Sequence, residues 1–351
     1  MAAKETNKET SKETNKETKE ARTGWMSPAS RFGVCFAVCL FLAASLVPPA
    51  KAGSYPSGPV RLIVGFGPAS SADIVARLVA KHLESVLGRP AIVENRPGAS
   101  SMIAAEAVAR ARNDGQTLFV ATIANTINPL LTKSSFDLGR DLAPIALLGV
   151  VPNILVVNPS LKVKTVAELI ALAKAKPGVL TCGTSGVGTA SHMAVAMFNR
   201  EAGTDIAAIP YQGGANQALT DLLAGRIDLM FNVAVTLAPH VASGNLTALA
   251  VGQPKRTPTM PDLPTTAEAG LPGFDVGVWI GLLAPRGTAP EIVDTLAKAS
   301  NEALQQPEIQ AALKTQGIDV LGGTPADFQD FIAHDIQKWR TLLEETGIKP
   351  E

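Results

Sequence analysis

The stretch Arg61-Leu62-Ile63-Val64-Gly65-Phe66-Gly67-Pro68-Ala69-Ser70-Ser71-Ala72-Asp73-Ile74-Val75 decides the fold. Its first four residues form an apolar run that ends at a Gly/Pro turn, the mark of a buried strand. Ser70-Ser71-Ala72-Asp73 then leads into Ile74, Val75, Leu78, Val79, Leu83, Val86 and Leu87, which keep helical spacing until Gly88 stops the helix. The same unit recurs. Ala91-Ile92-Val93 is a second strand ending at Glu94-Asn95, followed by the loop Arg96–Ser101 and an Ala-rich helix to about Arg112. Thr117-Leu118-Phe119-Val120-Ala121 is a third, followed by Thr122, Asn125, Thr126, Asn128 and Pro129. Strand, polar loop and helix in that recurring order specify a parallel sheet with helices on its faces.

The pattern resumes beyond the long apolar stretch Ala143 to Val157. Thr165 caps a helix from Val166 to Ala175. Strands follow at Val179–Cys182, Ala207–Tyr211, Ile227–Phe231 and Leu246–Val251, with helices after the Gly-rich loop Gly183–Thr189 and after Gln212-Gly213-Gly214. Val276 to Ala284 reads as a strand returning to the first unit, and the helices Pro290–Leu304 and Ala326–Thr346 close the chain. The expected domains are therefore 53–155 plus 281–351, and 156–280.

The composition agrees. The chain has 351 residues, 46% hydrophobic and 18% charged, enough for two domains with real cores. Its 31 basic residues balance 31 acidic ones, which leaves no cationic excess for nucleic acid phosphates, and 5% aromatics argue against base stacking. Lys4 to Glu20 is a low-complexity Lys/Glu/Thr repeat with no apolar residue to bury, and residues 1–25 are expected to be a disordered extension. Arg31, the apolar run Phe32–Val47 and Ala50-Lys51-Ala52 read as a signal peptide over 26–52, with Gly53 as the mature start, Met26 in the usual place for a start codon and the periplasm as destination. Removing it leaves Cys182 as the sole cysteine, a small buried apolar residue with no partner for a disulfide.

In open parallel sheets ligands sit beyond the carboxyl ends of the strands. The loops there are Gly67–Asp73, Asn95–Ser101, Thr122–Asn128, Gly183–Thr189, Tyr211–Gly214 and Asn232–Thr236. They are rich in Gly, Ser, Thr and Asn, hold no Lys or Arg except Arg96, and several run straight into helices. Helix starts carry unpaired N–H groups and the positive dipole end, so such loops suit an anion, although small polar residues also cap helices with no ligand at all. The candidate ligand-binding residues are Phe66, Gly67, Ala69, Ser70, Ser71, Asp73, Thr122, Asn125, Thr126, Ser185, Gly188, Thr189, Tyr211, Gly213 and Asn232. Asp73 reads first as a residue that orders its loop, and His192 as one that bonds a neighbouring loop. Phe66 and Trp279 suit either a core or a cleft wall.

Enzymatic readings fare worse. Gly186-Val187-Gly188 lacks the third glycine of a dinucleotide fingerprint, since Ser191 stands there, and no acidic residue closes the next strand. The Gly183–Val187 segment lacks the second glycine of a nucleophile elbow. His82, His192, His240 and His334 form no i, i+4 pair, so no metal site is expected, and no cofactor. A dehydrogenase or hydrolase built on the Gly183–Thr189 loop is the competing class.

Several phrases together resemble the Bug family, periplasmic receptors of the tripartite tricarboxylate transporter type. They are Val64-Gly65-Phe66 through Asp73 and Arg77, Glu94-Asn95-Arg96-Pro97-Gly98-Ala99, and Asp114-Gly115-Gln116-Thr117-Leu118. Gly186–Thr189 with His192, Pro210-Tyr211-Gln212-Gly213, Leu249-Ala250-Val251, Pro261–Thr265 with Glu268 and Gly270, and Trp279-Ile280-Gly281 complete the match. The resemblance implies a type II periplasmic-binding-protein fold, a Venus flytrap of two α/β domains, each a mostly parallel sheet flanked by helices. It also implies a monomeric receptor without catalysis, a small carboxylate ligand gripped by the first two strand–helix loops through backbone N–H groups and waters, and delivery to a transporter membrane subunit or a sensor. The sequence departs from the family at that grip. Pro68-Ala69-Ser70 stands where relatives usually carry Pro-Gly-Gly, and Ser100-Ser101 where they carry a glycine pair.

Overall fold

The computed structural model describes residues 55–132, 134–211 and 214–348. The extension, the signal peptide and Gly213 lie outside these. Ser54–Glu351 forms one compact unit carrying two sheets.

The first sheet holds β1 (Val60–Val64), β2 (Ala91–Asn95), β3 (Thr117–Thr122), β4 (Leu142–Val151), β10 (Val278–Pro285) and β11 (Asp319–Val320), in the order β11-β4-β10-β3-β1-β2. The second holds β5 (Asn153–Val157), β6 (Thr181–Thr184), β7 (Ala207–Pro210), β8 (Leu229–Val233) and β9 (Thr247–Val251), in the order β7-β6-β8-β5-β9. β2 and β3 run parallel to β1, while β10 is antiparallel to β3 and β4. β6 runs parallel to β7 and β8, while β5 is antiparallel to β8 and β9. Most strands of each sheet thus share one direction, and β10 and β5, the strands by which the chain changes sheet, are reversed, as is the short edge strand β11. The apolar stretch 143–157 is not one strand. Pro152 divides it, so Asn153 to Leu155 belong to the second sheet, and Val278 to Ile280 to the first. The expected domain ends at 155 and 280 fall inside these crossing strands.

Helices cover both faces. α1 (Ser71–Leu87), α2 (Met102–Ala109), α3 (Ala124–Leu131) and α4 (Leu138–Asp141) follow the first strands, and α9 (Pro290–Gln305), α10 (Pro307–Thr315) and α11 (Pro325–Thr346) end the chain. α5 (Val166–Ala175), α6 (Ala190–Ala202), α7 (Gly214–Leu223) and α8 (Ala234–Ala242) serve the second sheet. β1 shows why both faces need covering. Leu62 and Val64 pack with Val75, Val79 and Leu83 of α1 and Leu296 of α9, whereas Ile63 packs with Ala105 and Val108 of α2 and Ile127 of α3. Alternate side chains of one strand point to opposite faces, so the consecutive apolar residues Leu62, Ile63 and Val64 need a layer on each side. The Ile63 cluster continues through α11 into Phe198, Phe231 and Phe274 of the second lobe. Cys182 is fully buried there, and burial pushes its thiol far above the usual range.

Candidate functional site

The two lobes meet at the carboxyl ends of β1, β3, β6 and β8. A cavity of about 200 Å³ opens between them, lined by Phe66, Ser100, Thr122, Ile123, Ala124, Asn128, Asn153, Ser185, Gly188, Thr189, Ala190, Ser191, Asn232, Val233 and Val278. None of these residues is charged. The polar ones are hydroxyls and amides. Three helix starts reach the wall: Ile123 and Ala124 for α3, Thr189 to Ser191 for α6, and Val233 for α8. First-turn N–H groups lack intrahelical acceptors and carry the positive end of the helix dipole, so an anion placed here meets donors without a counter-cation.

The second-lobe loop is locked by its own hydroxyls. Thr189 caps α6, accepting from the His192 N–H at 3.4 Å, while its Oγ1 donates to the Gly186 carbonyl at 2.7 Å. That proton is taken, so Thr189 lines the cavity as a cap and not as a ligand donor. Ser191 Oγ accepts from the Ser185 N–H at 2.9 Å and donates to Ser185 Oγ at 3.3 Å, which leaves the Ser185 proton to point elsewhere. His192 Nδ1 accepts from the Gly188 N–H at 3.3 Å, and burial lowers its affinity for a proton, so the neutral acceptor is the favoured form.

The first-lobe loops are held from below. Asp73, 2% exposed, takes four donors: Arg77 Nε at 2.9 Å, Arg77 Nη2 at 2.9 Å, Asn95 Nδ2 at 2.8 Å and the Ala69 N–H at 3.0 Å. Burial works to raise this carboxyl, but the bonds from Arg77, Asn95 and Ala69 outweigh it and hold it below the usual carboxylate range. Asn95 Nδ2 also reaches the Phe66 carbonyl at 3.0 Å. Asp73 therefore has no lone pair left for a ligand, and it orders its loop.

The two places where the sequence departs from the glycines of the family it resembles have the backbone that glycine suits. Ala69 has φ 63°, Ser100 φ 50° and Ser101 φ 75°, with Ala99 at φ 45° between them. Non-glycine residues in the left-handed region are strained, and such strain gathers at ligand clamps. Ser100 lines the cavity. Ser101 turns inward against Gly65, where a Cβ would overlap its Oγ, and that Oγ has no hydrogen-bond partner among the described residues.

Of the residues expected from the sequence, Phe66, Thr122, Ser185, Gly188, Thr189 and Asn232 line the cavity, and Gly67, Ala69, Ser70, Ser71, Asp73, Asn125, Thr126 and Tyr211 do not. Ser70 caps α1, its Oγ accepting from the Asp73 N–H at 3.3 Å. Asn125 Oδ1 accepts from the Thr122 N–H at 3.0 Å, and Thr126 Oγ1 donates to Asp335 at 2.7 Å. Tyr211 donates to Asp221 at 2.8 Å within its own lobe. The candidate residues omitted Ser100 and Asn128, which lie in loops the sequence singled out, and Asn153, Ser191 and Val278. A lone asparagine amid the apolar run 143–157 was a legible signal for Asn153, whose Nδ2 donates to the Val276 carbonyl at 2.7 Å across the second crossing.

On the β11 side of the crossing strands lies a larger cavity of about 530 Å³, with Trp279, Phe331, Asp319, Asp335, Lys314 and Lys338 in its wall. Val278 faces the small cavity and Trp279 the large one, as neighbours on a strand must. Trp279 is a core residue, edge-on to Phe328 and Phe331, and its Nε1 donates to Asp335 at 3.0 Å.

Two mostly parallel sheets joined by reversed crossing strands, with a polar uncharged cavity between them, define a two-domain periplasmic solute-binding protein. Residues 75–348 match the tripartite tricarboxylate transporter family receptor, and the chain belongs to that family. It is 36% identical over 314 residues to Protein BugT of Bordetella pertussis, spanning 88% of this chain and 96% of that one. Among solved structures it is similar to an R. palustris protein with adipate, at 34% identity and TM-score 0.72, covering 85% of this chain and 100% of the other. It is also similar to MatC of Rhodopseudomonas palustris with bound malate, at 31% identity and TM-score 0.69, covering 82% and 100%.

Proposed function

We infer that the chain is a periplasmic receptor that captures a small organic acid by closing its two lobes, and that a membrane subunit of the transporter, or a sensor, reads the closed form. The carrying observation is the uncharged cavity between the lobes, where three helix starts, Ser100, Ser185, Asn128 and Asn232 meet. Relatives solved with adipate and malate support a carboxylate as the ligand class. A volume of about 200 Å³ is below the ~300–1,000 Å³ of pockets for drug-sized ligands, which favours a small headgroup. The lobes divide at Pro152 and within residues 252–277, and each moves as a body about these crossings. The ligand leaves unchanged, because no nucleophile–base pair lines the cavity among the described residues. Calorimetry with a panel of organic acids, paired with solution scattering, tests this: a binding acid should reduce the radius of gyration. Binding without compaction would refute closure, and turnover of the acid would return the enzyme reading.

A further inference from the structure

Asp335 lies outside the small cavity, yet its bonds lead into the cavity wall. It is buried on α11. Its Oδ2 accepts from Thr126 Oγ1 at 2.7 Å and from Trp279 Nε1 at 3.0 Å. Its Oδ1 lies 2.8 Å from Lys338 Nζ, an ion pair without the angles of a hydrogen bond, and Nζ also donates to the Asp275 carbonyl at 3.1 Å. Thr126 sits in the first turn of α3, and its Oγ1 is also 2.9 Å from the carbonyl of Ile123, which lines the cavity. Trp279 follows Val278, another residue of that wall. Asp275 lies in the second crossing, residues 252–277.

We propose that Asp335 is a positioning residue for ligand capture: it fixes the start of α3 that meets the anion and ties it to the second crossing, at Trp279 and, through Lys338, at Asp275. This rests on the reading of the small cavity as a carboxylate site. Filling space alone needs no charge, since an apolar side chain of the same size would avoid the cost of burying a carboxylate. What a carboxylate adds is direction, because it holds a hydroxyl, an indole N–H and an ammonium at once. The Thr126 hydroxyl has one proton, and the charged acceptor at the shorter distance takes it, so the first turn of α3 is anchored to α11 and not only to itself. Thr126, expected from the sequence among the ligand-binding residues, thus acts one bond removed from the ligand. Occupancy of the cavity is felt at the crossing through Thr126, Asp335 and Trp279, none of which lines the cavity.

Thr126→Val exchanges the hydroxyl for a methyl of similar size, and Thr126→Ser restores it. Calorimetry uses malate and adipate as probes, or the tightest acid of the panel should neither bind. Thr126→Val should weaken binding about tenfold, and Thr126→Ser should stay within about twofold of the parent. A residue that only anchors the core would lower the melting temperature and leave affinity unchanged. The second readout is the Trp279 indole N–H resonance, told from the others by Trp25→Phe and Trp339→Phe. Saturating acid should shift it in the parent, and the shift should shrink in Thr126→Val. Unchanged affinity in Thr126→Val, a Trp279 resonance that saturating acid leaves in place, or a shift as large in Thr126→Val as in the parent overturns the proposal while the receptor stands. Should Thr126→Val fail to fold, the parent resonance decides alone. If the parent binds no acid of the panel, the receptor reading itself fails and this proposal with it.

Discussion

Replacing Ser101 by glycine should stabilise the protein. Its φ of 75° is in the left-handed region, which costs an L-residue roughly 1–2 kcal/mol. Its hydroxyl is 1% exposed without a partner among the described residues, and a buried unmet hydroxyl costs about 1–3 kcal/mol. Against these gains, glycine loses about 0.5–1 kcal/mol more conformational entropy on folding, and the Cβ contact with Gly65 is lost. The terms are not additive, so a net gain of about 1–2 kcal/mol is a fair expectation, or ~2–6 °C in Tm for a chain of this size. Scanning calorimetry of the ligand-free protein measures it directly. Ser101 does not line the cavity, so carboxylate affinity should stay within about threefold of the parent. Ser100→Gly is the contrasting variant: Ser100 is also at positive φ, but its side chain lines the cavity, and binding should weaken by about tenfold. A Tm for Ser101→Gly several degrees below the parent would refute the strain argument.

Asp73→Ala should lower Tm by about 4–9 °C, from the ~2–3 kcal/mol lost when Arg77, Asn95 and the Ala69 N–H give up their shared acceptor, with affinity changed little. Because this carboxyl is held low, its contribution is complete above the unfolded pKa near ~3.9 and lost as pH falls through the folded value, so the gap between parent and variant should close only in strong acid. His192 is favoured neutral, so ligand-free stability should fall on acidification below about pH 6.5, where the unfolded chain takes up the proton first; His192→Gln, which keeps an acceptor, should flatten that decline in a Tm–pH series. Burial pushes the Asp319 carboxyl up to about 6. Ionising it therefore disfavours the folded state as pH rises from ~4 to 6, and Asp319→Asn should raise Tm at pH 7.5 but not at pH 4. Equal shifts at both values would contradict that.

The α/β pattern was legible because the strongest local signals were also structural. Gly88 ends α1 and Thr165 caps α5 in the expected ways. Pro290 opens α9 at the predicted residue. What escaped was set by tertiary context. α10 begins at Pro307 with only Gln306 between it and α9, and the sequence reading, which ended its helix at Leu304, did not name it. β11 has only two residues, and its pairing with Val150 and Gly149 of β4 leaves no periodicity to read. At the site, the sequence named the right loops and often the wrong atoms. Small polar residues at a strand's carboxyl end serve either as caps or as ligand donors, and only geometry shows that Ser70 and Thr189 act as caps whereas Ser100 and Ser185 face the cavity. Positive φ at Ser100 and Ser101 is likewise invisible in two serines, although the glycines usual in the family marked the place.

The most direct test of the account is the position of the carboxylate in a crystal structure of the complex with a binding acid. The account places its oxygens between the lobes, within ~2.7–3.1 Å of N–H groups at the helix starts and of the Ser100 or Ser185 hydroxyl, with no Lys or Arg in contact. A carboxylate paired instead with a lysine or arginine, such as Lys338 in the cavity on the β11 side, would contradict it.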